Sequence, residues 1–154
     1  MSLRRNALTV LKETSRTFYI PISILPDPLL DAVASAYLCM RAIDEVEDHP
    51  DLDATTKAQI LNQISLNLQS ATANSTSQDF ARGLGTYQAL LPEVTLRVGE
   101  WALLAPETIA PRIWDATAAM SDRMAFWAIQ NWQIKTENEL DQYTFSVAGA
   151  VGLL

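Results

Sequence analysis

Tyr37, Arg41, Asp44 and Asp48 follow one another at spacings of four, three and four residues. At 3.6 residues per turn that spacing stacks them on one helix face. The face reads aromatic, cation, carboxylate, carboxylate, and Glu47, three after Asp44, joins it. Leu38, Met40, Ala42 and Ile43 are left to pack elsewhere. Oxygen-only donors beside one arginine suit Mg²⁺ shared with a phosphate better than zinc or copper. A solvated acidic helix end is the other reading of the same spacing.

The element that carries these residues makes their acidity costly. His49-Pro50 follows, and proline disfavours helical geometry in the residue before it, so the helix should stop near residue 48. Asp44, Glu45, Glu47 and Asp48 then occupy the end where the helix dipole favours cations. Each anion there is unfavourable by roughly 0.3–1 kcal/mol, and like charges four apart add a few tenths. A bound divalent cation reverses the sign of that effect.

The rest of the chain reads as helices. Asp27-Pro28 is a candidate N-cap and first position for the helix that runs to Asp48. Residues 4–19 suggest a short helix entering an extended piece before Pro21. A second long helix is expected after Asp53, with Ile60, Leu61, Ile64 and Leu68 on one face. Residues 70–78 read as a loop. Phe80, Leu84, Tyr87 and Leu91 give a further helical stripe closed by Pro92. A short helix over 94–104 follows. Pro106 and Pro111 then precede a long pattern through Ile113, Met120, Met124 and Trp127. Thr136 and Glu139 form a candidate capping box for a last helix, which grows more apolar from Tyr143 to Leu154. No strand pattern, repeat or linker is visible, so the class is all-α. The 154 residues suffice for one domain, and the apolar finish leads us to expect the front part of a larger one. A last helix docked into a core or a partner is the alternative.

Composition narrows the functions. The net charge of −7 argues against a nucleic-acid partner. Six of the 18 carboxylates lie between Asp44 and Asp53. The single Cys39 excludes an intrachain disulfide and fits a reducing, cytoplasmic setting. Its simplest role is a small core residue. No signal peptide is visible, and no apolar run is long enough to span a bilayer. The four tryptophans and the Met120–Met124 pair read as packing residues. His49 reads as solvated rather than as a ligand. The sequence leaves open whether Asp122 and Arg123 face solvent or the site.

Ser15-Arg16-Thr17-Phe18-Tyr19, Leu25-Pro26 and Tyr37 through Asp48 together resemble the opening of the squalene/phytoene synthases, the head-to-head prenyl diphosphate synthases. Asp44, Glu47 and Asp48 match the family's D-x-x-E/D-D motif. Tyr143-x-x-x-Val147-Ala148-Gly149-x-Val151-Gly152 is similar to its Y-x-x-x-V-A-G-x-V-G helix. The resemblance implies a single all-α terpenoid synthase-like domain around a central cavity, of which this sequence would be the front portion. It implies Mg²⁺, with Mn²⁺ as an alternative, on Asp44, Glu47 and Asp48. Asp44 and Asp48 would serve catalysis, Arg41 would contact the diphosphate, and Ser15, Phe18, Tyr37, Tyr143 and Val147 would bind the prenyl substrate. The family's second acidic motif has no counterpart in the sequence, so little or no turnover is expected from these residues alone. Glu45 departs from the Asp or Thr common at that position. Squalene- or phytoene-type products, of carotenoid or hopanoid pathways, and any NADPH-dependent reduction are left open. Oily substrates imply at most peripheral membrane contact. Two further readings stand beside this one: another class of terpenoid synthase using Mg²⁺, and a non-catalytic helical half-domain that self-associates or assembles with another chain.

Overall fold

The computed structural model describes residues 2–15 and 17–153. Arg16, quoted above for the resemblance, and the chain end at Leu154 lie outside the described residues. Among the described residues every regular element is helical. The helices are α1 (Leu3–Thr14), α2 (Tyr19–Ser23), α3 (Leu29–Glu47), α4 (Ala54–Gln69), α5 (Ser77–Phe80), α6 (Glu93–Leu96), α7 (Val98–Leu104), α8 (Ala110–Ile129) and α9 (Glu137–Val147). Short 3₁₀ turns cover Leu84–Tyr87 and Gly149–Leu153.

Helix α3 is the central element, in contact with α1, α2, α4, α6, α7 and α8. It is apolar on more than one side: Ala34, Leu38, Cys39, Ala42, Ile43 and Val46 are all fully buried. A helix buried nearly all round is expected to run through a core rather than over it. Helix α4 lies along α8, and its stripe of Ile60, Leu61, Ile64 and Leu68 is buried as its spacing predicts. Buried hydroxyls tie the helices together through carbonyls. Ser35 Oγ donates to Trp101 O at 2.7 Å, Thr95 Oγ1 to Ala42 O at 2.9 Å and Ser121 Oγ to Leu61 O at 2.8 Å. No helix among the described residues is long and apolar enough to cross a membrane.

The α3 stop falls where proline puts it, with Asp48 as the C-cap. Asp53 caps α4 by accepting from Thr56 N at 2.9 Å. The capping box of α9 forms: Glu139 N donates to Thr136 Oγ1 at 3.2 Å and Thr136 N to Glu139 Oε2 at 2.9 Å.

Four expectations are corrected. Asp27 does not cap α3; the preceding peptide to Pro28 is cis, and the Asp27 carboxylate pairs with Arg4 at 2.9 Å. Ser15 is extended, but residues 17–20 before Pro21 form a turn and the start of α2. Pro21 sits in the first turn of α2, where its missing N–H has no intrahelical partner to lose. The stripe from Phe80 to Leu91 is buried at Phe80, Leu84 and Leu91 but is not one helix. Gly83, at φ +86°, turns the chain left-handed between α5 and the 3₁₀ turn. The last helix stops at Val147, and Ala148 at φ −139°, ψ −50° hands over to the 3₁₀ turn through Gly149 and Gly152.

Candidate functional site

A cavity of about 860 Å³ opens between α2, α3, α8 and the end of α9. Along α3 its lining runs Leu29, Val33, Ala36, Tyr37, Met40, Arg41 and Asp44. This is one face, about 22 Å long at 1.5 Å per residue, and it changes character along its length. The N-terminal turns are apolar; the C-terminal turn carries a guanidinium and a carboxylate. Phe18, Pro21, Ile22 and Leu25 close one side, and Ile109, Ile113, Met120 and Val147 the others. Phe18 packs on Tyr37 with ring centroids 5.7 Å apart.

Arg41 and Asp44 supply the charge. Arg41 Nη2 bonds Glu45 one turn on, while its buried Nε has no hydrogen-bond partner. Burial opposes the charged form of Arg41, but the Glu45 hydrogen bond and charge outweigh it, so the guanidinium stays protonated. Asp44 is pushed up to about 7, mainly by burial, against the pull of Arg41 and with Asp48, Glu47 and Glu45 pushing the same way. A carboxylate held this way gains most from a new cation.

Glu47 is not part of the cavity lining. Its side chain is buried among α4, the α8–α9 loop and α9. Oε1 accepts from Trp132 Nε1 at 2.6 Å and from Tyr143 Oη at 3.4 Å. Burial raises the Glu47 pKa; the Trp132 hydrogen bond opposes the rise, and the adjacent Asp48 carboxyl adds to it. Tyr143 stacks edge-on to Trp127 at 5.7 Å, and burial and Glu47 raise its pKa. Asp48 is exposed at the end of α3.

The structure thus gathers Phe18, Tyr37, Arg41, Asp44 and Val147 around one cavity, while Ser15, Glu47, Asp48 and Tyr143 lie off its lining. Ser15 Oγ instead accepts from Phe18 N at 2.9 Å, setting the turn that delivers the Phe18 ring. Met40, left by the sequence pattern to pack elsewhere, lines the cavity. His49 is not simply solvated: its ring bridges Leu90 O at 2.9 Å and Asp51 N at 3.2 Å. Asp122 and Arg123 border a separate groove of about 370 Å³ between α8 and α9, with Arg123 over the Phe145 ring. Lys57 escaped the sequence analysis, and Trp132 does more than the packing expected of it, since its indole donates to Glu47. Both act on Glu47 from other elements, and no spacing within α3 points to them.

Among the described residues no three His, Cys, Asp or Glu side chains converge closely enough to cage a metal ion. The donors nevertheless fit Mg²⁺. That ion is usually held by one or two carboxylates and completed by waters and substrate phosphates rather than by a cage of protein ligands. Asp44 at the polar end of the cavity, with Glu47 and Asp48 one turn beyond, offers that kind of partial set.

Comparison with known proteins decides the family. Residues 11–154 match the family model described as squalene/phytoene synthase. The chain belongs to the squalene/phytoene synthase family. Among curated members of that family, squalene synthase BSS of Botryococcus braunii is 33% identical over 147 residues, covering 94% of this chain and 30% of that protein. Squalene synthase of Solanum lycopersicum is 31% identical over 144 residues, covering 94% of this chain and 33% of that protein. The chain therefore spans about a third of the length of these relatives. A solved structure of TcSQS in complex with the ligand BPH1237 superposes with a TM-score of 0.72 at 23% identity, over 97% of this chain and 42% of that one. That likeness establishes the fold: the helices described here form the all-α terpenoid synthase-like architecture of the squalene/phytoene synthase family.

Proposed function

We propose that this chain binds the diphosphate and prenyl tail of an allylic prenyl diphosphate, as part of a Mg²⁺-dependent head-to-head prenyltransferase. The observation that carries the reading is the gradient along α3. One continuous cavity face passes from Leu29 and Val33 through Tyr37 to Arg41 and Asp44, the order of parts in a molecule with an oily tail and a charged head. Family membership supplies the reaction class.

Each residue then has a task set by its chemistry. Asp44 and Asp48, with Glu47 behind them, would hold Mg²⁺, and the chemistry that ion would supply is neutralisation of the diphosphate charge. Arg41 would donate to the same diphosphate without giving up a proton. Phe18, Tyr37 and Val147 pack the prenyl tail, and the apolar walls exclude water from the allylic cation left behind. Ser15 and Tyr143 act on the site through the Phe18 turn and through Glu47. Mn²⁺ fits the same oxygen donors. Because the residues present include only one of the family's two acidic motifs, we expect little or no turnover by this chain alone. Membrane contact, if the product is delivered to a bilayer, is peripheral.

The experiment is calorimetric titration of farnesyl and geranylgeranyl diphosphate with and without Mg²⁺, with diphosphate release and product extraction alongside. Metal-dependent binding that is lost in Asp44→Ala/Asp48→Ala supports the reading and ranks the chain lengths. A folded, monodisperse chain that binds neither substrate at any Mg²⁺ concentration sinks it. That result would favour the non-catalytic half-domain.

A further inference from the structure

Glu47 is the most constrained carboxylate of the acidic turn. The Trp132 indole at 2.6 Å and the Tyr143 hydroxyl at 3.4 Å both land on Oε1, so neither occupies Oε2. The backbone carbonyl of Glu47 accepts from Lys57 Nζ, and that ammonium lies 4.9 Å from the centroid of the Trp132 ring. Three elements outside α3 thus converge on one of its residues. Lys57 is buried at 8% exposure, which is unusual for lysine and is explained here by the carbonyl and the ring face it meets.

The backbone that delivers Trp132 is itself unusual. Asn131 and Trp132 both have φ of +50°, in the left-handed region that side chains rarely enter. Connecting α8 to α9 does not require an aromatic residue there. Such conformations persist where surrounding contacts fix them, and the contacts here are the Glu47 carboxylate and the Lys57 ammonium.

We propose that Trp132 is a positioning residue for the cation site: its indole N–H, with Lys57 stacked on the ring, ties down one oxygen of Glu47 and leaves the other free for a divalent cation. The inference rests on the metal reading above. Donors of this kind orient ligating carboxylates, and their loss weakens metal binding by about tenfold or more.

Trp132→Phe keeps a ring for Lys57 and removes only the donor. The test is Mg²⁺ titration of the whole chain, wild type and variant, by calorimetry, with ¹⁵N–¹H spectra of the indole groups. The sequence has four tryptophans, and the cross-peak missing in the variant assigns Trp132. We expect that peak to move on Mg²⁺ addition to the wild type. We also expect the variant to stay folded with a lowered melting temperature, because a buried carboxylate loses a donor, and to bind Mg²⁺ about tenfold more weakly. Unchanged affinity in a folded variant overturns the proposal. So does a Trp132 peak that stays still while the wild type binds Mg²⁺, a result that does not depend on how well the variant folds. A wild type that binds no Mg²⁺ defeats the metal reading itself and takes this inference with it, and that outcome is recognisable before any variant is made.

Discussion

Asp44 offers a quantitative test of the electrostatics. Its ordinary value of 3.8 is raised to about 7 in the fold, so the folded state binds more protons than the unfolded chain between those values. A group raised in this way contributes stability that is fully present below 3.8 and is lost as pH rises through about 7. The whole shift corresponds to at most about 4 kcal/mol, of which about 2.5 kcal/mol falls between pH 5 and pH 8. Other carboxylates titrate too, so the useful comparison is with Asp44→Asn, which keeps the shape and removes the charge. In urea unfolding without metal, the variant should gain on the wild type by about 2.5 kcal/mol between pH 5 and pH 8. Millimolar Mg²⁺ should narrow the gap at pH 8, leave it at pH 5 and do nothing for Asp44→Asn, because the proton and the cation compete for one carboxylate. A difference that stays constant within about 0.5 kcal/mol across that range would refute the argument that Asp44 is held charged at a cost.

Three further predictions rest on the packing. A Cβ on Gly99 in α7 would lie 2.0 Å from the Ser77 carbonyl oxygen of α5; Gly99→Ala should therefore cost about 3 kcal/mol or more in chemical denaturation, since backbone cannot yield like a side-chain tip. Burial pushes the Cys39 thiol up to about 12, so an aromatic disulfide reagent at pH 8 should label it only after urea unfolding, and prompt labelling of the native chain would contradict the buried placement. Ser35→Ala strips the Trp101 carbonyl of the hydroxyl that donates to it in a fully buried contact, and a loss of about 1–3 kcal/mol in the same assay is expected.

What the sequence made legible follows the range of the forces involved. The α3 stop, the α4 start after Asp53 and the Thr136–Glu139 box depend on neighbours within four residues, and all three form as their patterns imply. Phe80 and Leu84 are buried as a stripe should be, yet Gly83 takes them off one helix, because burial and backbone hydrogen bonding are separate constraints. Asp27 shows a local preference overridden: the Arg4 guanidinium, 23 residues away in sequence, claims its carboxylate. Periodicity likewise grouped Tyr37, Arg41 and Asp44 correctly on one face and left out Met40, because a cavity admits a wider stripe than four residues in line.

The acidic turn shows why a motif underdetermines a site. Asp44, Glu47 and Asp48 are adjacent in sequence, yet their surroundings differ. Asp44 lines the cavity beside Arg41, Asp48 is exposed, and Glu47 is held from behind by Trp132 and Tyr143. Had the turn evolved only to be soluble, three solvated carboxylates would serve, and nothing would justify burying Glu47 against an indole or Lys57 beneath the helix end. Burial of both is a desolvation cost that their mutual contacts only partly offset. A cation drawing on Asp44 at the cavity and on the exposed Asp48, with Glu47 braced behind them, would offset more of it. The left-handed turn at Asn131 and Trp132 then belongs to the same account, since it brings the donor to Glu47, the buried one of the two carboxylates that lie off the cavity lining.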